Sequence, residues 1–246
     1  MYFYRVEIIK LIKQLELSTF QVIISLILLN TQLSFAQSKF DGSYIGANLG
    51  VVQGSADSKE LILYNDANNG SYKPNGNIFG LYGGYNISFN KEYFIGFEAG
   101  LNRLEIKKEK QLPAYEGDAS RIDDSIAMTD SGYYFSPEVK VGVLLSENSN
   151  YYISAGKVFS RIKQSYRDNN ANGLRLVPAA ETDNFDGNSI GFGFEYLENN
   201  TIYRADFSSI NFGTREMSTT NNGGGIQRFS DKLSLNILTI GFAKKF

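Results

Sequence analysis

The sequence contains no cysteine, no histidine and no tryptophan, and only 4 of its 246 residues are proline. Without cysteine there can be no disulfide framework and no thiolate metal site. Without histidine the chain lacks the commonest general base and metal ligand, so catalytic triads and dyads that depend on histidine are excluded. These absences make an enzyme the weakest functional class for this chain, and we expect no catalytic residue and no cofactor.

Excess charge and long apolar runs are also scarce. The formal net charge is −2, so no global basic field favours binding to nucleic acid. The mean hydropathy is −0.24. A helical membrane protein would need apolar runs of about 20 residues, which the sequence does not contain. Both nucleic-acid binding and a helical membrane protein are therefore disfavoured.

Glycine and aromatic residues are abundant. The chain has 24 glycine, 16 tyrosine and 18 phenylalanine residues. Aromatic residues are enriched in β-strands, and glycine in strands marks places where backbones or ligands approach closely. The composition therefore predicts an all-β protein.

The N-terminus has the features of an export signal. It comprises a basic region with Arg5, Lys10 and Lys13, the apolar core FQVIISLILL at 20–29, and the small-x-small site Ser34-Phe35-Ala36. A membrane anchor is the alternative, but this apolar core is too short to span a bilayer. We therefore predict a signal peptide over 1–36 and a single exported domain over 37–246.

Eight segments of the remaining chain alternate apolar with small or polar residues, as β-strands do. They cover roughly 42–55, 76–89, 92–107, 132–146, 150–166, 188–198, 201–214 and 232–246. The connections after the second, fourth and sixth segments are very short: Asn90-Lys91, Glu147-Asn148-Ser149 and Asn199-Asn200. The other connections are long and polar. Strict alternation of short and long connections is typical of outer-membrane barrels, which have short periplasmic turns and long outer loops.

The composition of the two strand faces supports the same fold. In the hairpin at 77–102, Phe79, Leu81 and Phe97 share an apolar face, whereas the opposite face holds Gly80 and Glu98. A soluble barrel would bury the apolar face and expose the glycines to water, where the space they leave free would have no use. If lipid surrounds the barrel, the apolar face points outward and the glycines make room in a narrow lumen. We therefore predict an eight-stranded antiparallel up-and-down transmembrane β-barrel with both termini at the periplasmic side.

Lys157 does not fit this pattern, because it shares the predicted outward face with Tyr151, Ile153 and Phe159. Two explanations are open. A β-bulge could shift the register of this strand, or the lysine could extend its ammonium group toward the membrane surface.

Several stretches give the chain a resemblance to small outer-membrane β-barrels of the OmpA/OmpX type, within the porin-family group. They are GSYIGANLG, SPEVKVGV, SIGFGFEYL leading into YRADF, and the terminal LNILTIGFAKKF. The resemblance covers about 40–246. It implies that the last strand carries the signal read by the barrel-insertion machinery, at Leu238, Ile240, Phe242 and Phe246. Lys244 departs from that pattern, since the family has an aromatic or apolar residue there.

The resemblance also implies a cluster of ion pairs in the lumen in place of an open pore. The matching positions are Glu98, Glu138, Lys140, Glu195, Arg204 and Asp206. These residues could only satisfy one another's charges, because unpaired charge in a narrow interior is costly. Alternatively, they could re-pair to form a gate or an ion path. No metal site is expected, because the acidic residues of the second long loop lack regular ligand spacing.

Taken together, the sequence predicts a non-enzymatic protein of a Gram-negative outer membrane, exported through the Sec pathway. We expect a structural or surface-exposed envelope component with four long extracellular loops and a largely closed, ion-paired lumen. A small porin-like channel and a loop-mediated adhesin are the alternatives. The expected partners are outer-membrane lipid and lipopolysaccharide, the barrel-insertion machinery and an extracellular ligand of the loops. The protein is expected to be a monomer.

Overall fold

The computed structural model describes residues 38–60, 70–89, 92–111, 125–130, 132–167, 179–220 and 226–246. These residues form ten β-strands: β1 Gly42–Glu60, β2 Gly70–Tyr72, β3 Asn75–Phe89, β4 Tyr93–Gln111, β5 Ser125–Asp130, β6 Tyr133–Ser146, β7 Ser149–Arg167, β8 Ala179–Glu198, β9 Thr201–Thr220 and β10 Ile226–Lys245. No helix in this part of the chain is long and apolar enough to cross a membrane. The predicted signal peptide lies outside the described residues.

The ten strands build a closed antiparallel barrel that is eight strands around, because two short strands continue longer ones. β1 pairs with β3 on one side and with β10 on the other, which closes the sheet. The short strand β2 pairs with the outer part of β1 and continues β3 beyond Lys73-Pro74, where proline has no N–H to donate. In the same way β5 bridges β4 and β7 and continues β6 outward. The predicted eight-stranded antiparallel barrel is confirmed.

The short connections join the strands at one end of the barrel. Asn199 and Asn200 have positive φ angles of 48° and 61°, which is the geometry of a two-residue type I′ hairpin turn. Glu147 and Asn148 form the turn between β6 and β7, and Ser149 already belongs to β7. The predicted turn at Asn90-Lys91 lies outside the described residues.

The strands reach further on the opposite side than the sequence predicts. β8 begins at Ala179 rather than 188, and β9 continues to Thr220 rather than 214. We call the outer part of the barrel, which includes these added residues, the outer extension, and the remainder of the strands the membrane zone. The outer extension comprises 52–60, 70–78, 103–111, 125–130, 132–134, 158–167, 179–188, 210–220 and 226–237.

The outer wall of the membrane zone is apolar, as predicted from the strand faces. Large side chains exposed there include Leu49, Leu81, Phe97, Leu101, Val141, Ile153, Ile190, Phe192, Tyr203 and Ile240. On β4 this band runs from Tyr93 to Leu101, a stretch that covers about 20 Å of membrane height at the usual tilt of barrel strands. The complete β4, with 19 residues, rises about twice as far. The outer extension therefore projects beyond the hydrocarbon layer.

Lys157 lies on the outer wall and is exposed, and its Nζ donates a hydrogen bond of 2.5 Å to Asn188 Oδ1. The register between β7 and β8 continues without a shift from Ser149 to Tyr166. No bulge in that pairing therefore explains its position. Asn188 belongs to the outer extension, so the lysine reaches toward polar surroundings.

The interior has three layers. At the turn end, Phe40 from the N-terminal turn packs with Tyr44, Leu197, Ile202 and Ala243. The middle layer is charged and polar. The third layer fills the outer extension with apolar side chains from all around the barrel: Val52, Ala56, Ile78, Leu104, Ile106, Tyr134, Val158, Phe185, Ile210, Phe212, Leu233, Leu235 and Ile237.

Candidate functional site

The middle layer of the lumen holds all six predicted ion-pair residues. They lie on β4, β6, β8 and β9, and strand alternation points their side chains inward because the neighbouring positions face lipid. Cross-strand register brings Glu195 directly opposite Arg204, and Glu98 directly opposite Glu138. The hairpin turns and the sheet closure therefore place the charges at one level.

Lys140 bridges two carboxylates. Its Nζ lies 3.0 Å from Glu98 Oε2 and 3.0 Å from Glu195 Oε1. It also donates a hydrogen bond of 3.1 Å to the hydroxyl of Tyr44 and lies 4.4 Å from the ring centroid of Tyr152. The lysine side chain is only 1% exposed, so these contacts replace its hydration shell.

Arg204 bridges the same two carboxylates by a different geometry. Its two terminal nitrogens donate to the two oxygens of Glu98 at 2.8 Å and 2.7 Å, which is a bidentate fork. Nε and Nη2 both donate to Glu195 Oε1, at 3.0 Å and 2.6 Å. The guanidinium plane lies 4.2 Å from the ring centroid of Tyr82. Lys140, Arg204, Glu98 and Glu195 thus form one four-membered ion-pair network across the lumen.

Neutral side chains hold this network in place, and the sequence analysis did not identify them. The Tyr44 hydroxyl donates to Glu98 Oε2 at 2.7 Å, and Asn150 Nδ2 donates to Glu195 Oε2 at 3.0 Å. The rings of Tyr44, Tyr82 and Tyr152 surround the two cations within 6 Å.

A signal for these tyrosines exists in the sequence. Each lies directly across from a glycine of a neighbouring strand: Tyr44 opposite Gly84, Tyr82 opposite Gly100, and Tyr152 opposite Gly193. A side chain at Gly193 would collide with the ring of Tyr152, so the glycine provides the space that the ring occupies. An inward tyrosine paired with a glycine therefore marks a side chain that reaches across the narrow lumen.

Glu138 and Asp206 are not part of the network. Within the part of the chain that the structure describes, neither forms an ion pair. Glu138 Oε1 accepts a hydrogen bond of 3.3 Å from Ser189 Oγ, and Asp206 Oδ2 accepts one of 2.7 Å from the Tyr152 hydroxyl. Both carboxylates line a polar cavity of about 40 Å³ between the network and the apolar layer of the outer extension. The structure thus brings four of the six residues into contact and leaves these two beside the cavity.

The C-terminal residues lie elsewhere. Leu238, Ile240, Phe242 and Phe246 are all exposed on the outer wall. Lys244 shares that wall, and its Nζ is 3.5 Å from the carbonyl oxygen of Asn199. The role of these residues in membrane insertion remains a prediction.

A closed antiparallel barrel with a lipid-facing wall and a charged, polar layer inside its membrane zone is the architecture of a bacterial outer-membrane protein. The chain belongs to the family described as "outer membrane protein beta-barrel domain", whose model matches residues 22–246. The match starts within the segment predicted as the signal peptide. No curated protein matches the chain at a significant level.

Several solved structures are similar in fold. The outer membrane protease OmpT from Escherichia coli is 12% identical with a TM-score of 0.50, over 87% of this chain and 99% of that chain. OprG from Pseudomonas aeruginosa is also 12% identical with a TM-score of 0.50, over 85% and 98%. Ail, the attachment invasion locus protein of Yersinia pestis, is 13% identical with a TM-score of 0.36, over 82% and 99%. At these identities the similarity to OmpT and OprG shows the fold alone, and one fold supports several functions.

Proposed function

We propose that the protein is a non-enzymatic, non-conducting component of the outer membrane that presents its outer end at the cell surface. The observation that carries this proposal is the filling of the lumen. Phe40 and its apolar neighbours close the turn end, the ion-pair network crosses the middle, and thirteen apolar side chains occupy the outer extension. An ion would have to pass three packed layers in succession.

The ion-pair network serves structural stability in this proposal. Lys140 and Arg204 together connect β4, β6, β8 and β9 through Glu98 and Glu195. Separating these pairs would leave buried charges without partners, which costs several kcal/mol per ion. The network therefore resists opening, which favours a structural role over a gate.

Conductance in planar bilayers tests the proposal. We expect full-length protein to give no discrete current steps under conditions in which an open porin conducts. Its folded state is verified in the same preparation by faster gel migration before boiling than after. Reproducible unitary steps from verified folded barrels would instead establish a channel.

The channel alternative predicts a specific mutational response. If ions pass through the lumen, the Lys140→Ala substitution should change the conductance or its cation selectivity. In a non-conducting barrel, the same substitution lowers the stability of the barrel, and no current steps appear in the bilayer recording. The matched control is Lys157→Ala, which removes a lysine from the outer wall of the same barrel.

A ligand-binding role for the outer loops is the second candidate, and the outer extension favours it. The extension raises the outer ends of the described strands beyond the hydrocarbon layer, to a level that extracellular molecules can reach. Replacing 61–69, 112–124, 168–178 and 221–225 with short turns should abolish binding of whole cells to a surface or host extract. The shortened barrel should still fold. Unchanged binding by cells with the shortened barrel would exclude this role.

The remaining partners follow from the same placement. We propose that the apolar band contacts membrane lipid, that exposed cations at its outer edge such as Lys157 approach lipopolysaccharide phosphates, and that 1–36 directs Sec export. Leu238, Ile240, Phe242 and Phe246 are proposed to be read by the barrel-insertion machinery. The barrel is proposed to act as a monomer without nucleic acid.

A further inference from the structure

The lumen carries more negative than positive charge at one level. Lys140 and Arg204 face four carboxylates, those of Glu98, Glu195, Glu138 and Asp206. The two basic residues are fully engaged by Glu98 and Glu195. Lys140 and Arg204 line the same cavity as Glu138 and Asp206, but among the described residues these two carboxylates form no ion pair, so two formal negative charges exceed the positive charge of the middle layer.

The geometry makes this excess costly. Glu138 lies directly opposite Glu98 on the neighbouring strand, and like charges at opposed positions destabilise a sheet. The hydrogen bonds from Ser189 and from the Tyr152 hydroxyl supply dipoles but no positive charge. Unbalanced charge in a narrow interior is rare in membrane proteins and marks a functional site.

The cavity beside these carboxylates has further oxygen atoms without partners. Asn102 is 3% exposed, and its Oδ1 has no hydrogen-bond partner among the described residues. The same holds for the hydroxyl of Tyr82, which is also 3% exposed. Asn48 Oδ1 is a third such atom. All three residues line the cavity that holds Glu138 and Asp206. Buried oxygens without partners are uncommon and call for a ligand or ordered water.

Water alone would satisfy the oxygens but not the charge. We propose that this cavity binds one hard divalent cation, Ca²⁺ or Mg²⁺, between Glu138 and Asp206. Carboxylate, amide and hydroxyl oxygens are the ligands such ions prefer. Two carboxylates balance the charge of one divalent ion, and a cavity of about 40 Å³ has room for the ion with one or two waters.

The donor set also limits the kind of site. No three acidic side chains converge on a common point in the described residues. The ion is therefore held by two carboxylates, completed by Asn102, Asn48 and retained water. Because packed layers close the lumen on both sides, the ion enters as the barrel folds.

Terbium luminescence and calcium binding test this site in the full-length protein. The barrel is refolded in detergent with chelator, with Ca²⁺, with Mg²⁺ or with Tb³⁺ as a calcium substitute. Since the chain has no tryptophan, tyrosine is its strongest sensitiser of terbium emission, and Tyr82, Tyr134 and Tyr152 line the cavity. We expect one ion per barrel, tyrosine-sensitised emission, and a higher unfolding midpoint than in chelator.

The variant that removes both carboxylate charges gives the sharper result. The E138Q/D206N double variant should weaken binding by about tenfold or more, because affinity follows the number of charged ligands. It should also be more stable than wild type in chelator, since the repulsion is removed, and its midpoint should no longer respond to the ion. If the double variant does not fold, Asn102→Leu keeps both charges and should still weaken binding.

Glu198→Gln is the matched control, because Glu198 is an exposed carboxylate at the turn end of β8. It should bind the ion like wild type. Equal binding by E138Q/D206N and wild type would place the ion on other carboxylates and overturn the proposal. No bound ion in the wild type, with equal unfolding midpoints in chelator and in cation, would also overturn it and would indicate that the pair holds a proton.

Discussion

In the membrane zone the buried side chains include charged ones such as Lys140 and Glu195, and the exposed wall is apolar. In the outer extension the buried side chains are mostly apolar, such as Leu104 and Leu233, and the exposed wall is largely polar. The same strands run through both regions without a break in β1, β4, β7, β8, β9 and β10. The two regions share one backbone and differ in the solvent outside it.

That difference decides what holds each region together. Around the outer extension there is water, so burying apolar side chains in the lumen yields the ordinary hydrophobic stabilisation. Around the membrane zone there is hydrocarbon, so an apolar lumen would gain nothing. Specific contacts such as the ion pairs of Arg204 and Lys140 take its place. The comparison teaches that the barrel has a soluble-type core stacked on a membrane-type core.

The largest expected effect comes from removing a cation of the membrane zone. Arg204→Ala leaves Glu98 and Glu195 with Lys140 as their single basic partner, and we expect the free energy of unfolding to fall by about 3–5 kcal/mol. Lys140→Ala should destabilise the barrel by a similar amount. Equilibrium unfolding by urea in detergent, followed by gel migration, measures both. Full thermal stability of either variant would contradict the ion-pair network as a stabilising element.

The next effect tests the core of the outer extension. Leu104 is 1% exposed within the apolar layer, and Leu104→Ala should cost about 2–5 kcal/mol because it removes buried surface and leaves a cavity. Leu101→Ala on the same strand is the matched control. Leu101 faces lipid, and acyl chains can fill the space, so its loss should be smaller. Equal losses of stability in urea unfolding would contradict the assignment of Leu104 to the buried core and of Leu101 to the lipid-facing wall.

The fold could be predicted from the sequence because the membrane zone has a strict pattern. Alternation of residues such as Phe97 and Glu98, together with the short turns, is enough to give strand number, direction and sidedness. The inward positions of the charged residues follow from the same alternation. Which of them would pair could not be predicted, because Glu98 and Arg204 are 106 positions apart in sequence and meet only across the closed lumen.

The predicted start of β8 at 188, nine residues after the observed start at Ala179, lies at the border of the two regions and has a physical reason. At the border of the two regions the strand continues, but its apolar residues move from one face of the sheet to the other. The strict alternation of apolar and polar residues is therefore interrupted there. On β10, Leu235 and Ile237 point inward, and Leu238 and Ile240 point outward. The neighbouring pair Ile237-Leu238 marks this change, as Val51-Val52 does on β1. A doublet of apolar residues inside a barrel strand is thus a signal for the edge of the membrane.

A charge placed on the outer wall distinguishes the two solvents directly. Val141 lies in the apolar band on β6, and Val141→Lys should cost about 2–4 kcal/mol in lipid vesicles. Ser55→Lys puts the same charge on the outer wall of the extension, where the cost should be about 0–1 kcal/mol. Folding of both variants into vesicles, measured by urea titration, gives the two values. Similar costs at both positions would place the boundary of the hydrocarbon layer elsewhere.

The smallest expected effect lies outside both regions, in the turn between β8 and β9. Asn199 and Asn200 have positive φ angles, which asparagine and glycine tolerate and alanine does not. Asn200→Ala should therefore cost about 1 kcal/mol, and Asn200→Gly should cost almost nothing.

This turn also sets the register that places Glu195 opposite Arg204. Whether the free-energy loss of Asn200→Ala adds to the losses of other substitutions therefore shows whether that register is kept. If the turn is strained but the register is kept, the cost of Asn200→Ala adds to that of Leu104→Ala, because distant and independent sites are additive within about 0.5 kcal/mol. The same substitution combined with Arg204→Ala should also be additive. A double variant that loses less than the sum would show that Asn200→Ala had already displaced Arg204 from Glu195. The turn would then belong to the ion-pair network of the membrane zone rather than to the water-exposed end of the barrel.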